Sequence, residues 1–289
     1  MEDFCSFLHS PACFIQCGRK HSMDELLKPV SRPRSFKTSR TIVALILREM
    51  QTTYGRNAGG YLWAILNPVG ALAMFVLVIA VGLRIRTPGL GTNFPLFYAT
   101  GYLPLQLTLT TISKVAGSLN YSKPLLNYPG VQYTDAIIAR FVLNFITQCV
   151  VGVIIFVGIH VLWDLNTIRN LPAIVASFVL AAFVGLGIGV LNCFLFSVSS
   201  MWQSTWGILT RPLFLLSCIF FIFEDVPSQY QDGLWWNPLI HVVGLMRRGF
   251  YATYEAPYVS IVYLVSVSLI CMTLGLLFLN RFHLSILNR

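Results

Sequence analysis

Six apolar runs, at 62–83, 94–112, 141–163, 171–196, 203–223 and 259–279, carry almost no charge. Each has the length to cross a bilayer, whose hydrocarbon core of about 30 Å takes about 20 helical residues. A segment in hydrocarbon must pair its own backbone groups, so runs of this kind fold as helices. All eleven carboxylates lie outside the runs or at their edges: Glu2, Asp3, Asp24, Glu25, Glu49, Asp135, Asp164, Glu224, Asp225, Asp232 and Glu255. Ion-driven transporters and intramembrane enzymes place such groups at depth, where protons, cations and metals need them. The pattern predicts an all-α integral membrane protein of six transmembrane helices whose driving force comes from another chain.

Charged residues make up 11% of the 289, against about 25% in soluble domains. Six spans leave room for one membrane domain, expected over 36–289, after an unstructured polar leader over 1–35. The net charge of +9 is distributed as in a membrane protein rather than a nucleic-acid binder. Nine of the twenty Lys and Arg fall in residues 1–60, as on a cytoplasmic flank. Six crossings return the C-terminus, with Arg281 and Arg289, to that side, so both termini are expected in the cytoplasm. Arg84 and Arg86, just after the first run, oppose this orientation. Of seven cysteines, Cys149, Cys193, Cys218 and Cys271 lie in or beside apolar runs, as small packing residues. Cys5, Cys13 and Cys17 lie near His9 and His21, but their spacing fits no common zinc pattern, so no metal is expected. Residues 1–22 lack the basic n-region of a signal peptide and are broken by Pro11, and Met23 is expected as the working start.

In 36–56, Val43, Ile46, Leu47, Met50 and Tyr54 fall on one helical face and Lys37, Arg40, Arg48 and Gln51 lie largely elsewhere. This predicts a basic amphipathic helix along the inner membrane surface. Asn67-Pro68 is expected to kink the first span. Residues 113–140 form the longest inner connection, and Leu119, Tyr121, Leu125, Leu126 and Tyr128 make it too apolar for a solvated loop. A short helix docking onto another surface is expected there, with a loop folding back on its own helices as the alternative. In the fourth span Ala181, Gly185 and Gly189 recur every four residues, which lets another helix approach closely. Arg211-Pro212 lies inside the fifth run. Either Arg211 snorkels to the inner headgroups or it meets an anionic group of a substrate. Residues 224–258 read as two short helices, hinged at Asn237-Pro238 and re-entering the outer leaflet. His241 there lacks a second ligand at metal spacing and reads as a hydrogen-bonded packing residue.

No phosphate-binding G-x-x-x-x-G-K-[ST] loop and no H-E-x-x-H or G-x-S-x-G motif occurs, so neither ATP hydrolysis by a P-loop nor those hydrolytic chemistries is expected of this chain. An inner-surface helix and a docking loop without an engine point to a permease driven by a separate ATPase. Two other readings stand beside it: an intramembrane transferase acting on lipid-linked sugars, and a passive channel or scaffold.

Several segments carry a family resemblance: Leu47-Arg48-Glu49-Met50 with Tyr54-Gly55-Arg56, Gly60 to Pro68 (G-Y-L-W-A-I-L-N-P), Ile137-Ile138-Ala139-Arg140, Arg211-Pro212-Leu213-Phe214 and Trp236-Asn237-Pro238-Leu239-Ile240-His241. Over residues 36–280 the chain resembles the inner-membrane permeases of capsular polysaccharide ABC exporters, an ABC-2 branch. Asn67 and Gly244 stand where some relatives are expected to have an acid. The resemblance implies two permease copies and two ABC ATPase subunits that hold the ATP and Mg, with no cofactor on this chain. It further implies periplasmic and outer-membrane export proteins as partners, a polysaccharide substrate, and the bacterial inner membrane as location. Residues 36–56 become the interface helix and about 118–130 the coupling helix, with Arg48, Glu49, Tyr54, Leu119, Tyr121, Leu125, Leu126 and Tyr128 as ATPase-coupling residues. Outer gate helices over 228–250 contain Trp235, Trp236, Asn237, Pro238 and His241. Aromatic rings offer stacking faces to sugar C–H groups. Tyr61, Trp63, Tyr98, Trp202, Trp206, Phe214 and Phe220, with Arg211, are the expected substrate path, and lipid contact or helix packing is the alternative use of each ring.

Overall fold

The computed structural model describes residues 37–54, 60–78, 88–126, 132–164 and 170–287. Among them the regular structure is helical: α1 (Lys37–Tyr54), α2 (Gly60–Leu77), α3 (Phe94–Ala116), α4 (Ser118–Leu126), α5 (Tyr133–Trp163), α6 (Leu171–Val198), α7 (Ser200–Leu215), a 3-10 turn (Phe223–Asp225), α8 (Ser228–Trp235), α9 (Pro238–Phe250) and α10 (Ile261–Leu287). The chain divides at Lys37 into two units, and the bundle belongs to the second, Thr38–Arg289. The leader predicted over 1–35, including its cysteines, lies outside the described residues.

Among the described residues, three helices can cross a membrane by length and composition: Tyr133–Trp163, Leu171–Val198 and Ile261–Phe282. α2 is apolar but shorter. α3 has 23 residues, yet Gln106 and its threonines lower its hydropathy and it is largely enclosed by its neighbours.

The bundle is built around α6, against which α3, α9 and α10 pack. The small residues of α6 allow this. A Cβ on Gly185 would meet Thr111 at 2.8 Å and one on Gly189 would meet Val115 at 2.8 Å, both on α3. The Thr108 hydroxyl reaches the Ala181 carbonyl at 3.2 Å. On another side, Gly187 lies against Ser268 of α10. The predicted close approach therefore serves two neighbours. Dispersion and hydrogen bonds supply the attraction where lipid is as apolar as the side chains.

Two boundaries differ from the sequence reading. The long inner connection is mostly helix. α5 begins at Tyr133, started by a capping box in which the Gln132 N–H donates to Asp135 at 3.3 Å, so Arg140 lies inside a helix. The fifth run, predicted as one helix to 223, stops at Leu215. Pro212 disturbs its last turn, Cys218 takes a left-handed φ of 56°, and residues 216–222 continue as an irregular strap. Neighbouring helices supply the hydrogen bonds that such backbone needs.

Candidate functional site

α3 rises about 1.5 Å per residue and joins two ends of the bundle, each organised by a buried arginine. At the C-terminal end of α3, Arg140 Nη2 pairs with Glu49 Oε1 of α1 at 2.9 Å, with side chains 9% and 11% exposed. Its guanidinium lies 4.1 Å from the centre of the Tyr121 ring of α4. Its Nη1 donates to the Lys114 carbonyl at 3.3 Å. One side chain thus ties α1, α3, α4 and α5 together by a charge-assisted bond and a cation–π contact.

The surfaces around this junction are divided. On α1, Glu49 is buried while Val43, Leu47 and Arg48 are exposed, so the predicted apolar stripe is only partly covered by protein. On α4, Tyr121 is 42% exposed, whereas Leu119 is buried among Val115, Ile137, Val190, Cys193 and Leu279. Leu119, expected at a docking surface, instead faces the core and holds α4 down. Leu125 and Leu126 lie in the last turn of α4 and Tyr54 at the end of α1. Tyr128 lies outside the described residues. The sequence reading assigned no role to Arg140. Its signal was a cation seven residues into a helix that opens on Asp135 and carries no other Lys, Arg, Asp or Glu.

At the other end, Arg247 of α9 is fully buried. Its Nη1 and Nη2 donate to the carbonyls of Phe221 and Ile219 at 2.9 and 2.8 Å, and its guanidinium stacks 4.2 Å from the centre of Phe97. These bonds satisfy the strap that follows α7. The Asn237 side chain accepts the Leu239 N–H at 3.1 Å, capping α9, and donates to the Leu216 carbonyl at 3.4 Å. Pro238 occupies the first turn, where its missing N–H is tolerated.

His241 Nδ1 accepts the Ser260 N–H at 3.2 Å. Nε2 therefore carries the proton and donates to the Trp235 carbonyl at 2.9 Å. Trp235 Nε1 donates to the Tyr258 carbonyl at 3.1 Å, while Trp236 is exposed. Nearby, the Tyr254 hydroxyl donates to Glu224 at 2.9 Å. Burial raises both Tyr254 and Tyr258, the latter to about 12, so both phenols stay protonated.

The expected substrate-path residues do not share one site. Trp206, Arg211 and Phe214 share an open groove of about 590 Å³ with Gln203 and Thr210. There Arg211 makes no ion pair with a described residue. Tyr98 and Phe220 sit 6.0 Å apart in an aromatic cluster with Phe75, Tyr102 and Phe214, where Tyr98 is buried. Trp202 is held by its Nε1–H to Asn192 Oδ1 at 3.0 Å. Trp63 borders a separate polar groove, and Tyr61 lies at the start of α2.

An apolar helical bundle with cationic latches at both ends defines a polytopic membrane protein, and comparison with known proteins gives its family. The model for ABC-2 type transporters matches residues 40–251, and the chain belongs to that family. Polysialic acid transport protein KpsM of Escherichia coli is 30% identical over 236 residues, covering 82% of this chain and 91% of that protein. Capsule polysaccharide export inner-membrane protein CtrC of Neisseria meningitidis serogroup B is 27% identical over 248 residues, 84% of this chain and 91% of its own. Capsule polysaccharide export inner-membrane protein BexB of Haemophilus influenzae is 28% identical over 245 residues, again 84% and 91%.

Proposed function

We propose that this chain is the transmembrane permease subunit of an ATP-driven exporter. It moves a capsular or related cell-surface polysaccharide, carried on a lipid, from the cytoplasm across the bacterial inner membrane. The supporting observation is likeness over most of the chain to relatives whose names specify polysialic acid transport or capsule polysaccharide export.

In this reading α2, α3, α5, α6, α7 with its strap, and α10 are six spans, and the basic flanks place both termini in the cytoplasm. α1 lies on the inner surface with Val43 and Leu47 toward lipid, and α4 is the coupling helix. Two copies of the permease bind two ATPase subunits, which hold the ATP and Mg. α8 and α9 form the outer gate, and periplasmic and outer-membrane export proteins continue the route. Tyr121 and the last turn of α4 receive the ATPase, and Arg140 passes its movement to α5 and α1. The polymer runs along the groove of Trp206, Arg211 and Phe214 toward Trp63, Tyr61 and the aromatic cluster.

Gene deletion followed by localisation of the glycan tests this. Polymer stranded inside the cell, with a P-loop ATPase copurifying with the tagged permease, supports it. Normal surface glycan, or sugar transfer catalysed by the purified chain alone, refutes it. Replacing Leu125 and Leu126 together by Asp should release the ATPase while the chain remains in the membrane, and normal export by that variant would remove the coupling assignment.

A further inference from the structure

Between α2, α3 and α5 lies a groove of about 320 Å³ whose lining is about half polar although α2 and α5 are strongly apolar. α2 contributes Trp63 and Asn67, and α3 contributes Gln106, Thr110 and Lys114. α5 contributes Asn144 and Gln148. On each helix these residues are spaced by four, so three single faces turn toward one space.

Part of this chemistry is used internally. The Asn144 amide donates to Thr111 at 2.9 Å and to Thr110 at 3.4 Å, and Gln148 donates to Thr110 at 3.2 Å. These bonds hold α5 to α3. The side-chain amides of Asn67 and Gln106 bond to no described residue, and the amide oxygens of Asn144 and Gln148 remain as acceptors. Amides facing hydrocarbon are unfavourable. An apolar occupant would leave them unpaired, and a highly charged one would need more cations than Lys114. A ring bearing several hydroxyls supplies both donors and acceptors, its C–H face suits the half-exposed Trp63, and Lys114 at the groove's end suits one negative group.

We propose that this groove binds a single glycosyl unit bearing one acidic group, carboxylate or phosphate. The export reading supplies only the source of that sugar, as the unit of the polymer nearest its lipid. The volume is at the low end for small-ligand sites, which limits the occupant to about one ring. The groove also adjoins the coupling junction, because the Lys114 carbonyl accepts Arg140 Nη1. An occupant held by Lys114 therefore sits beside the residue that links α1, α4 and α5.

The headgroup of phosphatidylglycerol carries the same chemistry, so the test separates the two sources. Full-length protein in phosphatidylcholine nanodiscs is mixed with glucose or glucuronic acid, and binding is read by saturation-transfer NMR. Both sugars should give signals, with glucuronic acid the stronger. Asn67→Leu and Gln106→Leu should each weaken binding about fivefold, as expected for the loss of one hydrogen-bonding group. Lys114→Met should erase the preference for the acid. Neither Asn67 nor Gln106 holds another described side chain, so folding should survive, and an unchanged melting temperature checks this. Should Gln106→Leu fail to fold, Trp63→Leu carries the same test. Equal signals from the wild type and every folded variant overturn the proposal. It is also overturned if phosphatidylglycerol nanodiscs abolish the sugar signal and that lipid copurifies with the wild type but not with Gln106→Leu. A sugar signal that persists in phosphatidylglycerol supports it. The assay needs no ATPase: no sugar binding by the wild type, with glycan stranded on gene deletion, refutes this inference alone, and sugar binding with normal surface glycan on gene deletion refutes the exporter reading alone.

Discussion

The two ends of the bundle each bury one arginine, and they use it in opposite ways. Arg247 has carbonyls of a neighbouring strap as partners and, among the described residues, no carboxylate. Arg140 has a carboxylate, an aromatic ring and one carbonyl, contributed by three other helices. Backbone carbonyls after a broken helix need a donor whatever else moves, so Arg247 acts as a fixed clasp on residues 216–222. The Arg140 contacts are mainly to side chains, which change rotamer without unfolding a helix. That makes the Glu49 end the one suited to transmit movement and the Trp235 end the one suited to resist it.

The largest effect should come from breaking the clasp. Arg247→Met leaves two buried carbonyls without donors and removes the stacking on Phe97. At about 1.5–3 kcal/mol for each hydrogen bond to a charged group, it should lower stability by about 4 kcal/mol, read as a large fall in melting temperature in detergent. Arg247→Lys should recover little of this, because an ammonium lacks the planar fork that reaches both carbonyls. A melting temperature within a degree or two of wild type would show that the strap holds itself.

At the other end, Arg140→Met should cost about 3 kcal/mol, because it strands Glu49 in a nearly buried site. Glu49→Arg with Arg140→Glu should restore much of the stability. The comparison sharpens if the exchanged pair recovers the melting temperature but not ATP-driven export, since a carboxylate on α5 can neither stack on Tyr121 nor donate to the Lys114 carbonyl. Equal recovery of both would reduce the junction to a simple ion pair.

A third substitution tests the hinge. Asn237→Ala removes the α9 cap and the bond to Leu216, and should cost about 1 kcal/mol. Hydrogen exchange should rise in the first turn of α9 and in residues 216–217, with the Glu49 end unchanged. Exchange that rises throughout the bundle would mean the hinge is not a local element.

What could be read from the sequence follows the reach of its rules. Hydropathy placed α5, α6 and α10 because a bilayer-length apolar run has few other solutions. The small residues of α6 announced a close approach, since a missing side chain leaves a recess on any helix. Asn237-Pro238 announced a hinge because cap chemistry is local. The early stop of α7 was not legible: Pro212 is tolerated inside many membrane helices, and the donor for residues 216–222 lies at Arg247, far along the chain. Leu119 was indistinguishable from Leu125 by composition, and only the packing of α4 turns it inward. Arg140 and Glu49 are separated by 91 positions, so no spacing rule pairs them. The groove was equally hidden, because its residues are scattered in and beside three apolar runs and gather only when the helices assemble.

The smallest effect concerns the ring stacked on Arg140. Tyr121 is partly exposed, so its contact with Arg140 should contribute only about 0.5–1 kcal/mol. Tyr121→Leu keeps an apolar side chain on α4 and leaves the Glu49–Arg140 pair in place, so the melting temperature should barely move. If the ring transmits the motion of α4 to Arg140, ATP hydrolysis in the assembled exporter should continue while glycan export falls severalfold, and Tyr121→Phe should restore export because the π face survives. A ring that merely packs would instead let Leu substitute freely. The ratio of export to hydrolysis across Tyr, Phe and Leu at this position therefore measures whether the Arg140 end moves by way of α4, independently of how tightly the Arg247 end is closed.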